Sequence, residues 1–153
     1  MKKILLLLIM MATFGYSLPQ FGIIGVSDGG AGAGIFEENY SAAVLFSTVN
    51  NKDGVEGEDQ TNLEFNVKYK HGLDKLTKLL LGGKYTLITT DTSSDDDSDE
   101  STLMAFSIGI ERELASNLSI FGETDVVSIM DIDDGETETA VFNTARVGFI
   151  YKF

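Results

Sequence analysis

The chain contains no cysteine. It therefore has no residue to carry a lipoprotein acyl group and no disulfide framework, and a folded domain must be held by packing and hydrogen bonds alone. Bases are scarce: 11 Lys and Arg stand against 24 Asp and Glu, for a net charge of −13. Phosphate binding needs a basic face, so nucleic acid is excluded as a partner. Long apolar runs are missing too. The one from Ile4 to about Phe14 falls short of the ~20 residues of a membrane-spanning helix, and Pro19 follows close behind. Beyond residue 18 there is no amphipathic helix of useful length. Strong acidity often accompanies disorder, but an apolar fraction of 43% argues for a folded chain.

The sequence opens with "MKKILLLLIMMATFGYSLPQ". Two lysines, an apolar stretch and then small residues are the order of a secretory signal peptide, with Gly15 and Ser17 at the −3 and −1 positions for cleavage. Cleavage is expected between Ser17 and Leu18, which leaves residues 18–153 as one mature domain. Losing Lys2 and Lys3 takes the net charge from −13 to −15.

The rest of the chain alternates at period two, the mark of strands with two unlike faces. In "NLEFNVKYK", Leu63, Phe65, Val67 and Tyr69 oppose Asn62, Glu64, Asn66, Lys68 and Lys70. Met104, Phe106, Ile108 and Ile110 oppose Leu103, Ala105, Ser107 and Gly109; Leu118, Ile120 and Val126 oppose Ser119, Glu123 and Asp125. Eight strands are expected, near 19–27, 31–37, 39–49, 61–70, 78–89, 102–112, 117–129 and 138–153. Most run ~10 residues or more, the length that crosses a bilayer at a ~45° tilt.

The connections alternate in kind. Residues 37–39, 71–77 and 113–116 are short links, while 50–60, 90–101 and 130–137 are mostly longer and acidic. Sixteen of the 24 acids fall at the long-loop end: Asp28, and those within Asp53–Asp59, Asp91–Glu100 and Asp131–Glu138. Only Lys52 opposes them there, so the net charge gathers on one rim. Lys70, Lys75, Lys78, Arg112 and Lys152 are expected at the other rim, facing phospholipid phosphates.

The last residues, "TARVGFIYKF", form a strand that runs to the final aromatic. Chain ends usually fray, so this one must be tied into a sheet that closes on itself. With the signal peptide and eight strands, "VGFIYKF" resembles the small outer-membrane β-barrel family of Gram-negative bacteria, the group of the OmpA transmembrane domain and OmpX. The resemblance implies a transmembrane antiparallel up-and-down barrel with short periplasmic turns. It also implies that Val147, Phe149, Tyr151 and Phe153 are read by the barrel-assembly machinery, and that outer-membrane lipids are partners of a monomer with a structural or surface-interaction role. A soluble lipocalin-like barrel has the same period but an apolar interior; a small barrel enzyme acting on lipids is a further alternative.

Chemistry is sparse. His71, the single histidine, stands in "KHGLDK", a short turn outside any cluster that would serve nucleophilic or metal catalysis. "DIDDGETE" breaks the calcium-loop spacing, because Asp131, Asp133 and Gly135 do not place acids at positions 1, 3 and 5 before a glycine at 6. "GGAGAG" lacks the lysine and spacing of a phosphate loop. The acids Asp95, Asp96, Asp97, Asp99 and Glu100 suit at most weak divalent-cation binding in a solvated loop. No cofactor and no enzymatic activity are expected.

Two registers can be drawn. A two-residue hairpin at Asp134-Gly135 sets Glu123 opposite Arg146, Asp125 opposite Thr144, Ile120 with Phe149 and Leu118 with Tyr151. Across the 71–77 turn a similar construction sets Glu64 opposite Lys84 and Phe65 over Gly83. Both give ion pairs inside a narrow lumen, which they would plug.

Overall fold

The computed structural model describes residues 19–49, 59–91, 98–132, 136–142 and 144–153. The leader and its expected cleavage point lie outside these residues, as do Asp95, Asp96 and Asp97. The described chain is all strand: β1 (Phe21–Val26), β2 (Ala31–Phe36), β3 (Tyr40–Val49), β4 (Asp59–Gly72), β5 (Thr77–Asp91), β6 (Ser98–Ala115), β7 (Leu118–Ile132), β8 (Glu136–Val141) and β9 (Ala145–Lys152).

Each strand pairs antiparallel with the next from β1 to β7. β7 then pairs with β8 towards the loop end and with β9 towards the turn end, and β9 returns to β1. β8 and β9 are two pieces of one stave, so the sheet closes as an eight-stave barrel. The seam joins Gly22 to Lys152 and Val26 to Gly148, and Phe153 N donates to Phe21 O at 3.0 Å. The chain therefore ends tied to its own first strand.

The continuous last strand expected over 138–153 is broken. Phe142 adopts a left-handed φ of 51°, which a bulky residue takes only where the surroundings impose it. Val127 pairs with Val141 and Thr124 with Ala145, so two β7 residues face three on the other side, which is a bulge. β7 is irregular here against β6 as well: Phe106 pairs with Val127 and Ser107 with Asp125, skipping Val126. Val126 thus interrupts the alternation expected of it.

The bulge also corrects the hairpin. Ile132 pairs with Glu136, so three residues connect β7 to β8 and not the two-residue Asp134-Gly135 turn; residues 133–135 themselves lie outside the described chain. The extra residue at Phe142 shifts the pairing by one, and β9 then sets Glu123 opposite Arg146, Ile120 opposite Phe149 and Leu118 opposite Tyr151. Asp125 N donates to Thr144 O at 2.9 Å. The expected pairs occur, for a different reason.

The Glu64–Lys84 register does not occur. Glu64 pairs with Thr86, Lys84 with Asn66 and Phe65 with Tyr85. β4 runs on to Gly72, and the turn at 73–76 is set by Asp74, whose Oδ1 accepts from Leu76 N and Thr77 N, both at 2.8 Å. Those amide bonds, Leu76 first, hold the Asp74 carboxyl below its ordinary 3.8. The displacement is two residues, an even number, so both side chains keep their inward face.

Candidate functional site: a charged lumen inside an uncharged wall

Alternation sends one face of every stave into a narrow interior. From β1, β2, β3 and β9 this face brings Ile24, Phe36, Leu45 and Ile150, which cluster with Leu80 and Phe121. From β4 to β7 and β9 it brings charge. Lys68, Lys70, Lys84 and Arg146 meet Glu64, Glu111, Glu123 and Asp125, four cations against four anions. All but Glu64 are buried, and the Glu64 side chain keeps 13% exposure.

The contacts cross the lumen. Arg146 Nε donates to Glu123 Oε1 at 2.6 Å, and its two Nη groups donate to Glu64 Oε2 and Oε1 at 2.7 and 2.6 Å. Lys68 Nζ reaches the other oxygen of Glu123 at 2.5 Å and lies 4.6 Å from the centroid of the Phe121 ring. Lys84 pairs with Asp125 at 2.5 Å. Nearer the turn end, Lys70 pairs with Glu111 at 2.9 Å and lies 5.8 Å from the centroid of Phe36. Small inward residues make room: a Cβ at Gly82 would meet Lys68 Cγ at 2.7 Å, and one at Gly109 would meet Glu123 Cβ at 2.7 Å.

Of the four lumen residues expected from sequence, Glu123 and Arg146 meet each other directly. Glu64 and Lys84 both point inward but take other partners, Arg146 and Asp125. Lys70, expected at the rim among lipid phosphates, is instead 1% exposed inside the barrel. Lys68, Glu111 and Asp125 were missed as members of the network. The signal for them was present, since each lies an even number of residues from a recognised inward position with no irregularity between.

Above Arg146 a polar hollow of about 80 Å³ opens between Asp28, Ser47, Asn62, Glu64 and Thr86, room for a few waters. Asp28, half-exposed, stands 3.7 Å from Arg146. Among the described residues no group of His, Asp and Glu is arranged to hold a metal ion; of the expected cation ligands, Glu100 is exposed near the start of β6.

The outer face is the opposite. Leu63 to Tyr69, Leu79 to Leu87, Met104 to Ile110, Leu118 to Ile129 and Ala145 to Phe153 present no charged residue outward. Phe46, Val67, Met104, Ile110 and Ile120 are each about half exposed or more. Val147, Phe149, Tyr151 and Phe153 all lie on this face, at 62%, 46%, 41% and 78% exposure. Charge inside and apolar surface outside reverse the build of a soluble lipocalin-like barrel.

No family model matches the sequence, and no curated protein does. Two solved structures align with most of the chain. A major outer membrane protein from Thermus thermophilus aligns over 90% of this chain and 100% of its own, at 15% identity and a TM-score of 0.48. CarO of Acinetobacter baumannii aligns over 89% of this chain and 98% of its own, at 9% identity and a TM-score of 0.41. At such scores the barrel assignment stands on the chain's own hydrogen-bonded closure.

Proposed function

We propose that the chain is exported and inserted into the outer membrane of a Gram-negative bacterium as a closed transmembrane barrel with a structural or surface-interaction role. The observation that carries this is the reversal just described: eight charged side chains face the lumen, while the middle of the outer wall has none. In water that wall would expose far more contiguous apolar surface than soluble monomers tolerate; in hydrocarbon it needs no cover. Its uncharged stretches suit the ~9–11 residues of a tilted spanning strand. The build is similar to that of the small barrels grouped with the OmpA transmembrane domain and OmpX.

The lumen is closed in this reading. Eight staves leave an interior that side chains just fill, and crossed ion pairs fill it further, so no wide pore runs through the barrel. Lys75 in the turn and Arg112 on the outer face meet periplasmic-leaflet phosphates, while Lys78 and Lys152 continue the inward face beside Lys70; the acidic loops face outward. The assembly machinery reads the terminal strand, the leader is removed near Ser17, and the barrel acts as a monomer. No catalytic step is assigned to it.

Cell fractionation combined with gel mobility before and after boiling tests the proposal. The expected result is recovery with outer membranes and a band that shifts only on heating. Recovery in the soluble periplasm with unchanged mobility would sink it, as would steady large conductance steps in planar bilayers for the closed lumen.

A further inference from the structure

Glycines on the outer wall divide by what surrounds them. A Cβ at Gly25 would strike the Phe149 ring, 2.6 Å from Cε1, so that glycine makes room for the aromatic. Gly122 has no such neighbour. It faces outward on β7, paired with Ile110 of β6 and Val147 of β9. A Cβ there would meet only Val147 Cγ1, at 3.8 Å, which is ordinary contact. Wall packing therefore does not require a glycine at this point.

A shallow hollow of about 920 Å³ lies on the outer surface around Gly122. It slants from Gly25 near the loop end, across Gly122 and Ile120, to Arg112 at the turn end, with Ile110, Val147 and Phe149 as its sides. Two adjoining hollows, of about 320 and 500 Å³, also border Gly122. The size falls in the range of ligand sites, ~300–1,000 Å³. Its lining is apolar except at its two ends, Ser27 at the loop side, whose Oγ accepts from Val147 N at 3.2 Å, and Arg112 at the turn side. Arg112 is exposed and donates from Nη1 to Thr77 Oγ1 at 2.8 Å. Among the described residues no carboxylate lies within ion-pair distance of it.

An apolar trough ending in a cation at the membrane surface matches an amphiphile with an anionic head. We propose that the hollow seats an acyl chain of a glycerophospholipid from the periplasmic leaflet, with its phosphodiester held by the Arg112 guanidinium. The proposal rests on the outer-membrane reading above. A guanidinium forks onto two phosphate oxygens at once, and its position at the rim fixes the headgroup while the chain lies over Gly122. A second copy of the barrel suits the face less well. Two-fold pairing about an axis along the membrane normal would bring the two Arg112 side chains to the same rim, like charge beside like charge.

The test uses delipidated barrel in detergent micelles, titrated with palmitoyl-oleoyl phosphatidylglycerol and followed by native mass spectrometry. The unaltered chain should retain one lipid per barrel. Gly122→Phe, which fills the trough, should weaken retention by about tenfold, and Arg112→Gln should do likewise, the loss of one charge-assisted contact. Gly83→Phe is the control: Gly83 is an exposed outward glycine on β5, where a Cβ would meet only Ala105 O, at 4.0 Å. It should leave retention unchanged. Equal retention by all four proteins overturns the proposal, as does a dimer that Gly122→Phe abolishes. Heat-shifted mobility, measured on each variant, separates this outcome from failure of the barrel reading. Should Gly122→Phe not fold, Arg112→Gln at the exposed rim decides alone.

Discussion

Arg146 on β9 and Glu64 on β4 stand four staves apart in either direction round the barrel, yet their side chains form a two-pronged contact at 2.6 and 2.7 Å. No pair of staves could be farther separated in an eight-stave ring. This bridge ties opposite walls together through the lumen, and Glu123 and Lys68 extend it to β7 and back to β4. A side chain serving two lumen carboxylates, one of them fully buried, should be costly to remove.

Arg146→Met should destabilise refolded barrels by about 3–5 kcal/mol, because it leaves Glu64 without its cation and the buried Glu123 with Lys68 alone. Glu123→Gln should cost less, since Arg146 keeps Glu64. The double variant should lie well short of the sum of the two. Urea unfolding of the four proteins gives the coupling; strictly additive effects would mean the two side chains do not share a network in the folded barrel.

Gly148 tests the seam independently of charge. It faces inward on β9 beneath Phe121, and a Cβ there would collide with Gly25 O and lie 2.6 Å from Phe121 Cζ. Neither can retreat, the first being backbone of the paired strand and the second part of the packed interior cluster. Gly148→Ala should cost about 1–3 kcal/mol, read as a lowered urea midpoint. Gly122→Ala, one strand away with open space around it, should change the midpoint little.

The Asp74 turn makes a statement about pH. Its carboxyl is held below the ordinary 3.8 by the Leu76 and Thr77 amides. A depressed folded value stabilises the fold above the unfolded value and loses that contribution as pH falls through the folded one. The group is fully exposed, so the contribution to global stability is small. Carbon-detected titration should place Asp74 below 3.8, and Asp74→Ala should speed amide exchange at Leu76 and Thr77; unchanged exchange would remove Asp74 from control of the turn.

The barrel's architecture was legible in the sequence because its cause is local. Leu63, Phe65, Val67 and Tyr69 alternate with polar residues whatever their partner strand is. The seam was legible as well, since the alternation of Val147, Phe149 and Tyr151 marks a strand that needs a partner on each side. The registers were less accessible, because single residues decide them. Asp74 caps its own turn and moves Glu64 two places from Lys84, while Phe142 adopts a left-handed backbone and shifts β9 by one. Nothing in the period-two pattern announces either. The choice of lumen partners was least legible: Lys84 with Asp125 and Lys68 with Glu123 depend on which small residues, Gly82 and Gly109 among them, let long side chains lie across the floor.

The acidic sequence stretches 53–59, 91–100 and 131–138 should bind divalent cations, since together they carry 15 carboxylates and no Lys or Arg. Like charges crowded together disfavour one another's ionisation, and a cation relieves that repulsion. Calorimetry with calcium should show millimolar-range binding that is lost when Asp95, Asp96, Asp97, Asp99 and Glu100 are changed to Asn and Gln. The absence of heat at that concentration would leave these loops simply solvated.

Phe153 separates stability from assembly. In the folded barrel its backbone N donates to Phe21 O, one hydrogen bond of the seam, while its side chain is 78% exposed on the outer wall. Deleting it removes that single bond, worth about 0.5–1.5 kcal/mol, and a ring that makes little contact with the rest of the protein. Refolding of the truncated chain into detergent micelles should therefore succeed, with a slightly lowered urea midpoint. Assembly in cells should fail much more severely if the terminal aromatic is read by the insertion machinery. Phe153→Glu, which keeps the backbone bond, should likewise refold in micelles and still assemble poorly. The measurement is folded outer-membrane yield beside micelle refolding yield for the same proteins. If the two yields fall in parallel, the residue acts through stability alone and carries no assembly signal.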